Sequence, residues 1–212
     1  MFGRYELRTQ FIKVGDVKIH IVEESPGLFR YRRDEVTAIF KGGRNIDVLP
    51  APAEGYGVKL LMIDLLEKVI VPPGDSFVFY LEAPIEVLVS IGEKVIDRFQ
   101  LFKEKYALYG TPQIGAIARY WKSGVYTSTP EFPGVVKVVL TNRSRVWREL
   151  DHIVFFIKDS VMYYTKDRAF YPLMIVEFRS GIPEVNNTGK PPEENLIPTK
   201  EELPLPNFLM RW

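Results

Sequence analysis

Apolar and polar residues alternate with a period of two along most of the chain, which predicts a protein built from β-strands. In VKIHIV (residues 17–22) the valine and isoleucines at odd positions share one face, and Lys18 and His20 occupy the other. The dipeptide Gly15-Asp16 separates this run from Phe11–Val14, so the two runs are predicted to pair as a hairpin.

Further runs of the same kind continue along most of the chain, and no alternation of strands with helical segments interrupts them. The predicted strands are Leu28–Arg33, Val36–Phe40, Ile46–Leu49, Ser76–Leu81, Ile85–Ile91, Val95–Phe102, Gly115–Trp121, Val135–Thr141, Trp147–Ile157, Val161–Lys166 and Ala169–Phe178. Short connections join the three runs between Ser76 and Phe102, which predicts an antiparallel meander.

Val58–Val71 is ambiguous, because its apolar residues also fit one face of a helix. It ends in β-branched residues that run directly into Pro72, and its neighbours on both sides are predicted strands. We therefore predict a strand here.

These elements predict an all-β, antiparallel, sandwich-like fold with little helix and an extended C-terminal tail. Residues 1–182 form the β-rich domain, either as one large unit or as two packed β units. Residues 183–212 follow as a linker rich in Pro and Glu (184–202) and an apolar tail, LPLPNFLMRW (203–212). The tail is expected either to pack on its own domain or to dock on a partner, as a second copy of the chain or another protein.

Composition narrows the class of protein. The 212 residues carry a net charge of +1, which argues against a nucleic-acid partner, and they lack a run long and apolar enough for a membrane span. Cysteine is absent, and Glu, Lys, Arg, Val and Ile are plentiful. With no signal peptide evident at the N-terminus, we expect a cytoplasmic protein of a heat-adapted organism.

Most catalytic and cofactor motifs are missing. Gly55-Tyr56-Gly57 and Gly42-Gly43 lack the residues that complete a nucleotide-binding loop, and no serine lies in a G-x-S-x-G turn. Glu149, Asp151 and His152 are close in sequence, but regular strand alternation would place His152 on the opposite face, which excludes a shared metal site. We therefore expect no metal and no cofactor.

The densest mixture of aromatic, basic and glycine residues is the central stretch, Arg98–Tyr126. Between Arg98 and Arg148 nine basic residues face two acidic ones, an excess of +7 that either marks an anion site or is neutralised by acids from elsewhere in the fold. Aromatic rings beside basic groups suit the recognition of sugars, bases or phosphorylated ligands. The candidate ligand-binding residues are Tyr106, Tyr109, Arg119, Trp121, Lys122 and Tyr126.

Alternation along the strand divides these candidates. Arg119 and Trp121 are predicted on one face, and Tyr120 and Lys122 on the other. Only one of the two faces is therefore expected to form a site, and the other is expected to lie in the core.

The runs KYALYGTPQIGAIARYWKS, GVVKVVLTNRS and VFFIKDSVMYY resemble an uncharacterised archaeal family, the domain of unknown function numbered 432. The resemblance extends to about Phe178, and it implies an archaeal, intracellular protein. The family has no assigned activity, so the resemblance implies no site residues.

We therefore hypothesise a non-enzymatic binding or protein-interaction module whose contact surface is the central stretch. The alternative is an enzyme that acts on a carbohydrate or a phosphate ester with Asp or Glu and without metal. A third hypothesis, RNA binding, predicts an affinity that falls steeply with salt.

Overall fold

In a computed structural model the chain is described over residues 1–179, 181–200 and 208–210, although side chains are not described at 208 and 209. The described residues contain strands and no helix, which confirms the all-β prediction. No helix in this part of the chain is long and apolar enough to cross a membrane.

The strands of the first half are β1 (Gly3–Glu6), β2 (Gln10–Val14), β3 (Val17–Ser25), β4 (Leu28–Arg33), β5 (Val36–Lys41), β6 (Asn45–Pro52), β7 (Leu60–Val71), β8 (Ser76–Glu82), β9 (Ile85–Ile91) and β10 (Lys94–Gln100). Those of the second half are β11 (Tyr106–Tyr109), β12 (Ala116–Ser123), β13 (Gly134–Asn142), β14 (Arg148–Phe156), β15 (Tyr163–Tyr164), β16 (Ala169–Phe170), β17 (Met174–Phe178), β18 (Pro183–Asn187), β19 (Ile197–Pro198) and β20 (Phe208–Leu209).

These strands form four sheets over the described residues. Three of the sheets have the orders β1-β6-β9-β10, β2-β3-β4-β5 and β11-β12-β7-β14. The fourth has the order β19-β15-β16-β13-β17-β18-β20, with β8 also paired to β13. One buried apolar cluster draws on all four sheets, for example through Ile19, Val87, Ile63 and Val138, as expected for a sandwich-like arrangement.

Two of the sheets, β1-β6-β9-β10 and β2-β3-β4-β5, are antiparallel throughout, as predicted, whereas the other two also contain parallel pairs that the sequence did not predict. β12 runs parallel to β7, and β13 runs parallel to both β16 and β17. Parallel neighbours need long crossovers, and these cannot be read from alternation within a single strand.

Two predictions from local sequence patterns are confirmed, the hairpin at Gly15-Asp16 and the strand at Val58–Val71. β2 and β3 form the predicted hairpin in the register Val14↔Val17, and Gly15 adopts a φ of 58° that suits a glycine in a two-residue turn. The ambiguous segment is a strand, β7, as predicted.

The predicted meander between Ser76 and Phe102 is half wrong. β9 and β10 pair as a hairpin, but β8 pairs with β13 in a different sheet. Pro84 restricts Ala83 to an extended conformation, and the Ala83 N–H donates to the carbonyl of Gly134 on β13. The connection 83–84 is therefore a crossover between sheets instead of a turn.

The prediction of a linker from 184 to 202 is also wrong at its start. β18 pairs with β17 along its whole length, and Pro183, Val185 and Asn187 are buried. The Asn187 side chain donates to the carbonyl of Phe156 and accepts from the N–H of Gly189, so its burial is compensated. Most of the predicted apolar tail lies outside the described residues, but Met210 is buried and β20 pairs with β18.

Candidate functional site

β12 has two different faces, and they divide the predicted site residues as alternation requires. Arg119 is only 1% exposed and lies on the inner face with Trp121, whereas Tyr120 is half-buried and Lys122 is exposed on the outer face. The pairing with β7 places Arg119 beside Leu61 and Lys122 beside Asp64.

On the outer face three side chains lie in one row across three adjacent strands. Lys122 on β12 pairs with Asp64 on β7, and Asp64 pairs in turn with His152 on β14. Side chains directly opposite each other on antiparallel strands, as Asp64 and His152 are, have Cβ atoms about 4.5–5.5 Å apart. A base, an acid and an imidazole therefore stand side by side.

An irregularity in the pairing adds Asp151 to this row. Between Val69 and Asp64, β7 carries four residues (65–68), while β14 carries only Asp151 between Leu150 and His152. Leu150 and Ile153 are both buried, so the alternation of β14 shifts by one position and both residues between them turn outward. Asp151 Oδ1 lies 2.6 Å from His152 Nδ1.

The prediction that His152 and Asp151 face opposite ways is therefore wrong. It assumed a regular strand, and the bulge removes that regularity. Among the described residues, however, no group of three or more acids and histidines is arranged to hold a metal ion.

We call Asp64, Tyr120, Lys122, Asp151 and His152 the outer cluster. All of these except Tyr120 line an open depression of about 340 Å³, together with Leu65 and Leu66. Tyr120 lies at its edge and donates a hydrogen bond of 2.7 Å to Asp64 Oδ2. The ring of Tyr109 lies 6.4 Å from the ring of His152, edge to face.

Desolvation, and then the hydrogen bond to Asp64, raise the pKa of Tyr120 to about 12. The neutral phenol is thus favoured in the folded state, and its contribution to stability is present below pH 10 and is lost as the pH rises through 12.

We expect the ¹³Cζ resonance of labelled Tyr120, assigned with Tyr120→Phe, to titrate near pH 12. Asp64→Ala should move the midpoint toward 10, and an unchanged midpoint would contradict the assigned hydrogen bond.

On the inner face the arginine is enclosed. Arg119 Nη2 donates to Gln100 Oε1 at 2.9 Å, and the guanidinium lies 5.4 Å from the centroid of the Tyr106 ring. Trp121 packs against the rings of Phe102 and Phe132, at 5.4 and 5.6 Å, and these two rings stack on each other at 4.7 Å. Arg119 Nε, Arg119 Nη1 and Trp121 Nε1 are buried without a hydrogen-bond partner among the described residues.

The six candidates from the sequence thus lie in three places. Tyr106, Arg119 and Trp121 belong to the inner face, and Lys122 and Tyr109 lie at the outer one. Tyr126 forms a backbone bridge with Tyr80 and donates to Glu82, so it joins neither group. Sequence reasoning missed Asp64, because only the register between distant strands brings it beside Lys122 and His152. It rejected a shared site at Asp151 and His152, because it assumed regular alternation along the strand.

The excess positive charge of the central span is partly neutralised by acids from elsewhere. Arg98 pairs with Glu86 and Glu54, and Arg143 pairs with Glu177 at 2.8 Å. Neutralisation by distant acids, one of the two alternatives that the sequence left open, therefore holds for Arg98 and Arg143. Arg119 forms no ion pair with a described residue, and the anion site stays a prediction.

Comparison with protein families matches residues 1–211 to one described as "Protein of unknown function (DUF432)". No curated protein and no solved structure matches the chain.

Proposed function

The chain belongs to the DUF432 family of proteins of unknown function, and we infer that it is a non-enzymatic binding module whose recognition surface is the outer cluster. One observation carries this proposal: Lys122, Asp64 and His152 form a row across three strands in an open depression. Residues held on paired strands keep their positions without a ligand, which reduces the entropy lost on binding.

The charges of the outer cluster favour a neutral ligand. Asp64 and Asp151 are balanced by Lys122 alone when His152 is neutral, so the depression lacks the positive excess that a polyphosphate or nucleic acid needs. Carboxylates accept hydrogen bonds, Lys122 donates them, and a hydroxyl group does both. A hydroxyl-rich ligand of the carbohydrate class therefore fits the alternation of acceptors and donors.

The surroundings of the acids support binding over catalysis. A carboxylic acid that donates a proton in glycoside hydrolysis is held in apolar surroundings. The Asp151 side chain is 57% exposed, and Asp64 already accepts a hydrogen bond from Tyr120. The alternative enzyme would need at least one of them to be shielded from water.

We expect saturable binding of a neutral saccharide, found by saturation-transfer NMR with a panel that includes glucose, maltose and cellobiose. Lys122→Ala and Asp64→Asn should each weaken it by about 10-fold or more, because a hydrogen bond to a charged group is worth about 1.5–3 kcal/mol. Lys105→Ala, at another exposed lysine of the central stretch, is the matched control.

Three results would contradict this proposal. They are no binding by any saccharide of the panel, equal binding by the wild type and both outer-cluster variants, and cleavage of a bound saccharide. An affinity for RNA that falls steeply with salt would favour the third hypothesis instead.

The setting of the protein is a further part of the proposal. Its composition and its resemblance to an archaeal family support a cytoplasmic protein of a heat-adapted archaeon. The burial of Met210 and the pairing of β20 with β18 favour a tail that packs on its own domain.

A further inference from the structure

The guanidinium of Arg119 is a buried charge that lacks a counter-ion among the described residues. It is 1% exposed and forms one hydrogen bond, from Nη2 to the neutral side chain of Gln100. The face of the Tyr106 ring adds a cation–π contact at 5.4 Å. Burying a cation costs free energy unless an opposite charge compensates it, and Arg119 has no such charge among the described residues.

The nearest acids of the inner network are committed to other partners. Glu86 accepts from Arg98 Nε and from the N–H of Gly55, and more weakly from Gln100 at 3.4 Å. Glu104 accepts from the hydroxyl of Tyr106 at 2.8 Å. Gln100 therefore separates the Arg119 guanidinium from the carboxylate of Glu86, and the charge of Arg119 is not directly neutralised.

Trp121 adds a second group with the same deficiency. It lies two residues from Arg119 on the same face of β12, and its indole N–H is buried without an acceptor. The three unsatisfied atoms, Arg119 Nε, Arg119 Nη1 and Trp121 Nε1, are all donors. We call Arg119 and Trp121 the donor site.

Because all three unsatisfied atoms are donors, a species that satisfies them must accept hydrogen bonds. A water molecule accepts hydrogen bonds, but it carries no charge and would leave the buried guanidinium uncompensated. An oxyanion accepts several hydrogen bonds, brings no hydrogens when fully ionised, and neutralises the guanidinium. Arginine is also the side chain best suited to carboxylate and phosphate groups.

We propose that the donor site binds a small oxyanion, a carboxylate or phosphate group, on the inner face of β12. The site is independent of the outer cluster, because it rests on different side chains on the opposite face of the strand. Binding there stabilises the strand that presents Tyr120 and Lys122, since any ligand of the folded state alone raises stability.

The surroundings of Tyr106 favour a small ion over a large ligand. A Cβ on Gly55 would lie only 2.2 Å from the Tyr106 hydroxyl, so the loop between β6 and β7 lies directly against this ring. The ring of Tyr56 is 90% exposed and lies 6.3 Å from that of Tyr106. Tyr106 therefore lies between the guanidinium and the surface loop. A large ligand would have to displace the Tyr106 ring and the loop to reach Arg119.

The test is thermal unfolding of the full chain after dialysis into chloride buffer. Sodium phosphate and sodium acetate are then added in separate series at constant ionic strength. We expect at least one of them to raise the Tm of the wild type by about 4 °C at ten times its Kd. A response to phosphate alone identifies a phosphate site, and a response to acetate alone identifies a carboxylate site.

Two substitutions remove the donors separately. Arg119→Met removes the charge, and in chloride buffer its Tm should equal or exceed that of the wild type, since no buried cation remains. Neither oxyanion should then raise its Tm. Trp121→Phe keeps an aromatic ring against Phe102 and removes only the indole donor, so it should reduce the oxyanion response even if Arg119→Met does not fold.

Arg145→Met and Trp147→Phe, at exposed positions, are the matched controls and should respond as the wild type does. The proposal is overturned if neither oxyanion stabilises the wild type. It is equally overturned if Trp121→Phe and Arg119→Met respond as strongly as the wild type, or if chloride produces the same Arg119-dependent stabilisation.

Discussion

Replacement of Asp97 by alanine is expected to reduce the free energy of unfolding by about 3–5 kcal/mol, because it leaves buried partners without their acceptor. The Asp97 side chain is 5% exposed and accepts from Arg33 Nε at 2.6 Å and from the hydroxyl of Tyr31. Tyr31 is fully buried, so its hydroxyl would have no water to replace the lost carboxylate. Urea denaturation followed by circular dichroism measures the loss.

The location of this interaction makes the effect large. Tyr31 and Arg33 lie on β4 in the sheet β2-β3-β4-β5, whereas Asp97 lies on β10 in the sheet β1-β6-β9-β10. A bulge between Val95 and Asp97 interrupts the regular pairing of β10 next to the buried carboxylate. Asp97→Asn keeps an acceptor for Tyr31 and should lose clearly less stability. A loss below about 1 kcal/mol in Asp97→Ala would contradict the attribution.

The second large effect is expected at Glu86, which is 2% exposed and lies at the centre of the inner polar network. Glu86→Ala removes the acceptor of Arg98 Nε and of the Gly55 N–H, and it should destabilise the fold by about 3 kcal/mol. Arg98 retains partial exposure and a second acid, Glu54, which keeps the effect smaller than that at Asp97.

The control at this position is Glu86→Gln, which retains an acceptor for Gly55 and removes only the charge. Urea unfolding should rank the wild type above Glu86→Gln and Glu86→Ala last. If the glutamine and alanine variants were equally stable, the hydrogen bond from Gly55 would contribute nothing to stability. That result would contradict the role assigned to Glu86 as its acceptor.

The parts of the fold that the sequence predicts correctly are those determined over a few residues. The β2–β3 hairpin follows from alternation on both sides of Gly15, and β7 follows from the β-branched residues before Pro72. Alternation along β12 also separates Arg119 from Lys122 correctly. Each of these features depends on neighbours in the chain.

The features that the sequence does not predict depend on residues far apart in the chain. β8 leaves the predicted meander for β13, more than fifty residues later, and β18 is a strand because β17 is there to pair with it. Hydrophobic periodicity carries no information about which distant strand becomes the neighbour.

The candidate site also depends on pairing between distant strands, so the sequence does not predict it. Asp64, Lys122 and His152 come from three strands whose register brings them together, and the bulge that turns Asp151 outward follows from a mismatch between β7 and β14. The aromatic and basic composition of the central stretch directed the search for a site to β12. It did not reveal which face of β12 is buried, or that the acids of the outer cluster lie on β7 and β14.

The most direct test of the recognition surface is an amide ¹H–¹⁵N NMR titration of the full chain with glucose, maltose and cellobiose. We expect saturable shift changes that centre on Asp64, Lys122 and His152 with at least one of these sugars, and their loss in Lys122→Ala. Saturable changes confined to the sheet β2-β3-β4-β5, or no saturable change with any of the three sugars, would contradict the assignment of the outer cluster.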